Sequence, residues 1–156
     1  MPSVDRLVID SGVVMKWFAT TEPFADRALE IRRLFVTGLI ELHAPSVLYH
    51  EVGVVLGKWG NKIRLKTPGA PYMTVAESRG VLTTLWNLGL HLADLTPESA
   101  AEAVEMAVGY SKGFKDMLFL QLARELDCRL ITSDERMVEA VPKSFPRSQV
   151  VLLKDW

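Results

Sequence analysis

Short apolar runs alternate with longer segments of helical periodicity along this chain. Runs of this length, bounded by polar residues, are typical of buried parallel strands. They occur at 6–10, 40–44, 90–95, 129–133 and 149–153. Segments with apolar residues at helical spacing separate them, at 23–38, 45–60, 74–89, 96–111 and 114–126. Strands separated by helices predict an α/β fold with a mostly parallel sheet.

Length and composition exclude several classes of protein. A chain of 156 residues is expected to form a single domain, over 1–156. The formal net charge of −1 gives no global attraction to nucleic acid or membrane. A single cysteine, Cys128, excludes internal disulfides and a cysteine-rich zinc site. No apolar run approaches the ~20 residues that span a bilayer, and no signal peptide is recognisable. We therefore expect a cytoplasmic protein that does not bind membranes.

Two of the apolar runs end on an aspartate. Asp10 closes the run in "RLVIDSG", and Asp134 follows the run in "RLITSDERM". In open parallel sheets the functional crevice lies outside the carboxyl ends of the strands. Both carboxylates are therefore expected at that edge of the sheet.

Two further acids are expected at the same edge. Glu51 lies in the helix that follows 40–44, and its neighbours three and four positions away are all apolar, which is unusual for an unpartnered glutamate. Asp116 opens the helix that leads directly into 129–133. Because that helix must run back antiparallel to the strand, its start lies at the strand's carboxyl end.

Four carboxylates at one edge predict a cation site. Two carboxylates about 4 Å apart repel by roughly 4 kcal/mol at an effective dielectric near 20, so a cluster needs protons, basic partners or a metal. Oxygen ligands suit Mg²⁺ or Mn²⁺ better than zinc. Such an ion can polarise a phosphoryl group and activate a bound water.

Each acid also has a purely structural interpretation. Asp116 and Asp134 could cap helices, and Asp10 could accept backbone N–H bonds within a loop. Glu51 could form a buried pair with an arginine or lysine. We favour the metal because the structural alternatives would require four separate coincidences at one edge.

With these positions the chain resembles a PIN-domain ribonuclease, specifically a VapC-like toxin of a toxin–antitoxin pair. The matching pieces are "VIDSGVVMKWF", "APSVLYHEV", "FKDMLFLQLARELDCRLITSDERM" and the final "VVLL", in family order over essentially the whole chain. The resemblance implies a three-layer α/β/α domain with a mostly parallel five-stranded sheet. It also implies Mg²⁺- or Mn²⁺-dependent endonucleolytic hydrolysis of RNA by a homodimer that an antitoxin inhibits.

By matched position, the family's acids fall on Asp10, Glu51, Asp116 and Asp134. These four are the expected catalytic residues and metal ligands. The hydroxyls expected to orient them belong to Ser11, Thr132 and Ser133.

The chain departs from the family pattern at three places. Gly12 stands where members often carry Ser or Thr, and Arg136 stands where some carry a further acid. The second departure argues against a strong second metal site. The segment 58–73 is longer and more basic than in compact members, which would affect substrate choice or partner binding.

Basic residues near Trp59 are the best candidates for contacting an RNA backbone, with the indole stacking on a base. The alternative is a solvated surface loop. The residues near Trp59 are Lys58, Lys62, Arg64 and Lys66. Lys16 follows Asp10 closely and could screen the acid cluster or contact a phosphate, and it is included among the residues expected to bind RNA. His43, His50 and His91 show no ligand spacing, and no metal-binding role is expected for them.

Two other functions compete with a nuclease. One is a non-catalytic PIN-like module that binds RNA or protein. The other is a receiver-like domain, in which strand-end aspartates bind Mg²⁺ and accept a phosphoryl group. The second is disfavoured because "RLVIDSG" lacks paired acids and no middle strand ends in an acceptor aspartate.

Overall fold

Five strands form one parallel sheet in the computed structural model, which describes residues 4–61, 71–142, 145–146 and 149–156. The strand order is β3-β2-β1-β4-β5 and every pairing is parallel. The strands are β1 (Asp5–Ile9), β2 (Ile40–Pro45), β3 (His91–Ala93), β4 (Arg129–Thr132) and β5 (Val150–Leu152). The expected α/β class and five-stranded sheet are confirmed.

Helices connect the strands at the positions that the periodicity predicts. They are α1 (Ser11–Met15), α2 (Ala25–Val36), α3 (Val47–Gly60), α4 (Val75–Asn87), α5 (Pro97–Tyr110), α6 (Phe114–Glu125) and α7 (Glu135–Ala140). A short 3₁₀ turn, Leu153–Asp155, follows β5. Neither α1 nor α7 has a counterpart among the expected helical segments, because five or six residues are too few to show a helical period.

The central strands are covered on both faces. Successive residues of β1, from Leu7 to Ile9, are each no more than 1% exposed, although their side chains point to opposite faces of the sheet. Leu130 and Ile131 of β4 are equally buried. Helices therefore flank the sheet on both sides, as in a three-layer domain. Largest among the fully buried side chains is Phe119 of α6.

The strand order places a switch point between β1 and β4. The chain proceeds from β1 to β2 and β3 on one side, then crosses to β4 and β5 on the other. Crevices form at such points outside the carboxyl ends of the strands. The order also differs from the 2-1-3-4-5 order of receiver domains, so the receiver-like alternative is wrong.

No helix within the described part of the chain is both long and apolar enough to cross a membrane.

Candidate active site

All four acids predicted from the sequence line one small cavity at the carboxyl edge of the sheet. Its volume is about 190 Å³, enough for a hydrated ion. Residues from β1–α1, α3, α6 and the β4–α7 connection surround it, namely Asp10, Ser11, Gly12, Glu51, Asp116, Phe119, Ser133, Asp134 and Met137. The structure thus brings together carboxylates from opposite ends of the chain, Asp10 and Asp134 among them.

Asp10 leaves β1 and caps helix α1. One carboxylate oxygen, Oδ1, accepts the backbone N–H of Val13 at 2.9 Å. The other, Oδ2, accepts the hydroxyl of Thr132. The structural interpretation of Asp10 is therefore also realised, and the cap fixes the direction of the carboxylate.

Thr132 connects the ends of the two central strands. Its side chain is wholly buried. Its hydroxyl donates to Asp10 and accepts the backbone N–H of Asp134 at 3.0 Å. One buried hydroxyl therefore sets the relative position of two acids.

Glu51 is 8% exposed and is paired with a lysine that the sequence analysis did not single out. Lys115 Nζ lies 3.0 Å from Glu51 Oε1, and the lysine side chain is 50% exposed. The structural interpretation of Glu51, a pair with an arginine or lysine, is thus confirmed. The signal was available only in part: Lys115 adjoins Asp116, but nothing in the sequence links it to α3.

Asp116 and Asp134 complete the cluster. Asp116 lies in the first turn of α6, whose N-cap is Gly113, so Asp116 is not itself the cap. Asp134 is the N-cap of α7 and accepts the backbone N–H of Arg136 at 3.0 Å. Its side chain is 43% exposed, and Arg136 Nε lies 3.7 Å away.

The pKa values of two of these acids, Asp10 and Asp116, are raised. Burial raises the pKa of Asp10 from 3.8 to about 6, although hydrogen bonds from Thr132 and Val13 oppose the rise. Burial, followed by repulsion from Glu51, raises the pKa of Asp116, and Lys115 partly offsets this. Without a cation, ionising all four carboxyl groups of the cavity at once therefore costs free energy.

Gly12 leaves space for a hydroxyl from another segment. A Cβ at this position would lie 2.2 Å from Ser133 Oγ and 3.3 Å from Asp10 Oδ1. The Ser133 hydroxyl thus occupies the space where a side chain at position 12 would begin. Ser133 and Ser11 both line the acid cavity.

A second cavity, of about 310 Å³, adjoins the acid cavity and shares Ser11, Gly12 and Ser133 with it. Lys16 and Trp59 line this neighbouring cavity. Lys58 lies one residue before Trp59 on α3 and is exposed. The other predicted RNA-binding residues, Lys62, Arg64 and Lys66, lie outside the described residues.

Comparison with known proteins gives a family match over most of the chain. Residues 7–142 match the family model described as PIN domain. A search of curated proteins gives no significant match.

Three solved structures share the fold at low sequence identity. PAE2754 from Pyrobaculum aerophilum superposes with a TM-score of 0.63 at 15% identity, covering 96% of this chain and 92% of that one. VapBC2 from Rickettsia felis, bound to a DNA fragment from its promoter, gives 0.63 at 12% identity, with coverage of 94% and 98%. A toxin-antitoxin complex from Klebsiella pneumoniae gives 0.58 at 16% identity, with coverage of 94% and 97%.

Asp10→Asn is expected to stabilise the protein in EDTA at pH 7, by about 1 to 3 kcal/mol, because it removes a carboxylate that burial makes costly to ionise. The Asp10 carboxyl binds its proton more tightly in the folded state than in the unfolded state. The contribution of Asp10 to the free energy of unfolding therefore falls as pH rises from about 4 through about 6. The variant's advantage should grow over that range and then level off. Urea unfolding at several pH values measures it. Asp94→Asn, at an exposed position, is the matched control. An equal advantage at pH 4 and pH 7 would refute the assignment.

Thr132→Val is expected to destabilise the protein by about 1 to 3 kcal/mol, because it leaves the Asp134 N–H and an Asp10 oxygen without a buried partner. Carboxyl NMR titration should show the pKa of Asp10 rising further, since the lost hydrogen bond favoured the ionised form. Thr132→Ser keeps the hydroxyl and should keep the pKa of Asp10. The bridge has no such role if valine and serine give the same pKa.

Proposed function

The chain belongs to the PIN domain family, and from that premise we propose that it is a Mg²⁺- or Mn²⁺-dependent endoribonuclease. The observation that carries the proposal is the convergence of Asp10, Glu51, Asp116 and Asp134 on one cavity. A non-catalytic binding module would have no use for such a cluster, because its mutual repulsion destabilises the fold. The four acids are the proposed catalytic residues.

The donor set fits a hard divalent cation. All four side chains offer carboxylate oxygens. Burial raises the pKa values of Asp10 and Asp116, so ionising both groups without a cation costs free energy. Lys115 contributes one positive charge, to Glu51. When bound there, Mg²⁺ or Mn²⁺ would supply Lewis acidity toward a phosphodiester and toward an attacking water.

The chain's own residues would prepare the site for that chemistry. Thr132 orients Asp10 by donating a hydrogen bond to Oδ2, while the cap to Val13 restrains Oδ1. Asp134 is held by its own cap to Arg136. Carboxylates fixed in this way need little rearrangement when a cation and a phosphate arrive, which is how such sites lower reaction barriers.

Substrate binding is assigned to the adjoining cavity. Lys16 would contact a phosphate, and Trp59 would stack on an unpaired base. Lys58, exposed beside Trp59, would extend the basic surface. The same proposal assigns Lys62, Arg64 and Lys66 to backbone contacts. Single-stranded RNA fits best, because an unstacked base can reach an indole at the edge of a pocket.

We further propose that the protein is a cytoplasmic toxin, forms a homodimer and is inhibited by an antitoxin. Two of the similar structures are a VapBC2 complex and a toxin-antitoxin complex, which supports a protein partner. An apolar cavity of about 360 Å³ lies beside the start of α6, lined in part by Phe114 and Leu118. Phe114 precedes Lys115 and Asp116, so a partner seated there would lie next to the acids.

Exposed apolar side chains on α4 and on α5 are the candidates for the proposed dimer contact. Trp86 of α4 is 68% exposed and Val108 of α5 is 78% exposed. Burying such side chains between two copies would remove apolar surface from water.

RNA cleavage is the direct test of the nuclease. Incubated with a mixed RNA pool and Mn²⁺, the wild type should cut, and EDTA should abolish cutting. Asp10→Asn and Asp116→Asn should each lower the rate at least about 100-fold, because a Lewis acid contributes several kcal/mol to such reactions. Gel electrophoresis of end-labelled RNA measures the rate, with Asp94→Asn as the active control. Undiminished cutting by Asp10→Asn would contradict the proposal, and intact RNA in every lane would favour the binding module.

Toxicity is tested by growth. Induction in a bacterial host should slow growth for the wild type and for Asp94→Asn, but not for Asp10→Asn at equal protein level, because only the first two keep the proposed site. Optical density after induction measures this. Unaffected growth with an active nuclease would contradict the toxin while leaving the ribonuclease intact.

A further inference from the structure

Two histidines and a glutamate meet on one face of the sheet, away from the acid cavity. Glu41 and His43 lie two residues apart on β2, and the strand register pairs His43 with His91 of β3. One donor atom from each residue lies within 4.8 Å of the other two. His43 Nε2 is 3.3 Å from Glu41 Oε2, and the two imidazole rings stack with centroids 4.7 Å apart.

We propose that Glu41, His43 and His91 form a binding site for one divalent transition-metal ion of the Zn²⁺ class. Two imidazole nitrogens and one carboxylate oxygen are a donor set that zinc, cobalt and nickel accept, with water completing the shell. The histidines show no ligand spacing in the sequence, and the fold brings His43 and His91 together with Glu41. Positions 43 and 91 show no motif in sequence and become neighbours only through the pairing of two strands.

The site differs from the acid cavity in both place and chemistry. None of its three residues lines that cavity, whose donors are all oxygens. His91 begins β3, a three-residue strand at the edge of the sheet. An ion held by both strands would fasten this short edge strand to β2, where few backbone hydrogen bonds otherwise hold it. The proposed role is thus structural and independent of the nuclease.

The three side chains suit this task in different ways. His91 is exposed and would give an ion access from solvent. His43 is partly buried, and burial lowers the pKa of its imidazole. Glu41 holds His43 in place, by accepting a hydrogen bond from its neutral imidazole or by forming an ion pair with the protonated ring.

Arg6 is the main competitor for Glu41. Arg6 Nε lies 3.5 Å from Glu41 Oε2, and its side chain is 54% exposed. Exposed pairs of this kind contribute little stability, so an ion could displace the arginine. The guanidinium also repels a cation. Removing it with Arg6→Gln should therefore tighten metal binding, whereas a site elsewhere would not respond.

Calorimetric titration with ZnCl₂ tests the proposal. Wild type should bind one Zn²⁺ per chain at this site, and His91→Gln should weaken that event at least about 10-fold, the scale on which even the outer partners of metal ligands matter. His91 is the decisive position because it is exposed, so its substitution leaves the packed core unchanged. His50→Gln, which alters the one histidine outside the cluster, is the matched control and should leave Zn²⁺ affinity unchanged.

Two further variants separate this site from the acid cavity. Asp10→Asn should retain the Zn²⁺ affinity that His91→Gln loses, whether or not the nuclease proposal holds. Zn²⁺ should also raise the thermal midpoint of the wild type more than that of His91→Gln, because binding stabilises only the folded state. Zinc binding that is lost in Asp10→Asn but kept in His91→Gln would overturn the proposal. So would the absence of binding, which would leave an ordinary histidine–glutamate contact.

Discussion

The buried hydroxyl of Thr132 is the contact on which the geometry of the acid cluster depends. It joins the carboxylate at the end of β1 to the backbone at the end of β4. These are the two strands that flank the switch point of the sheet. Parallel sheets generally leave a crevice at their carboxyl edge. In this crevice, the Thr132 side chain fixes the position of Asp10 relative to Asp134.

The same geometry brings four carboxylates close enough to repel one another. Four carboxylates share a cavity in which Lys115 and a few hydrogen bonds offset only part of the charge. The raised pKa values of Asp10 and Asp116 follow first from burial of their carboxyl groups, and repulsion from Glu51 adds to the rise. The fold withstands this repulsion because residues of β1, β4 and α6, Phe119 among them, are deeply buried. A stable core thus holds groups that would otherwise move apart.

The sequence predicted those features that depend on local pattern. Strand and helix periodicity located the five strands and the longer helices, and the strand-edge rule anticipated the meeting of Asp10 with Asp134. Features that depend on contact between distant segments were missed. Lys115 of α6 pairs with Glu51 of α3. The Ser133 hydroxyl occupies the space beside Gly12. His91 lies next to His43 because of the strand register. None of these leaves a trace in residue spacing.

Crystals grown with Mn²⁺ and measured at the manganese absorption edge would test the central claim most directly, because anomalous scattering locates the ion without assuming any activity. The account predicts an anomalous peak in the cavity formed by Asp10, Glu51, Asp116 and Asp134, in contact with their carboxylate oxygens, and its loss in Asp10→Asn crystals. Saturating Mn²⁺ with no peak in that cavity, or a peak unchanged in Asp10→Asn, would contradict it.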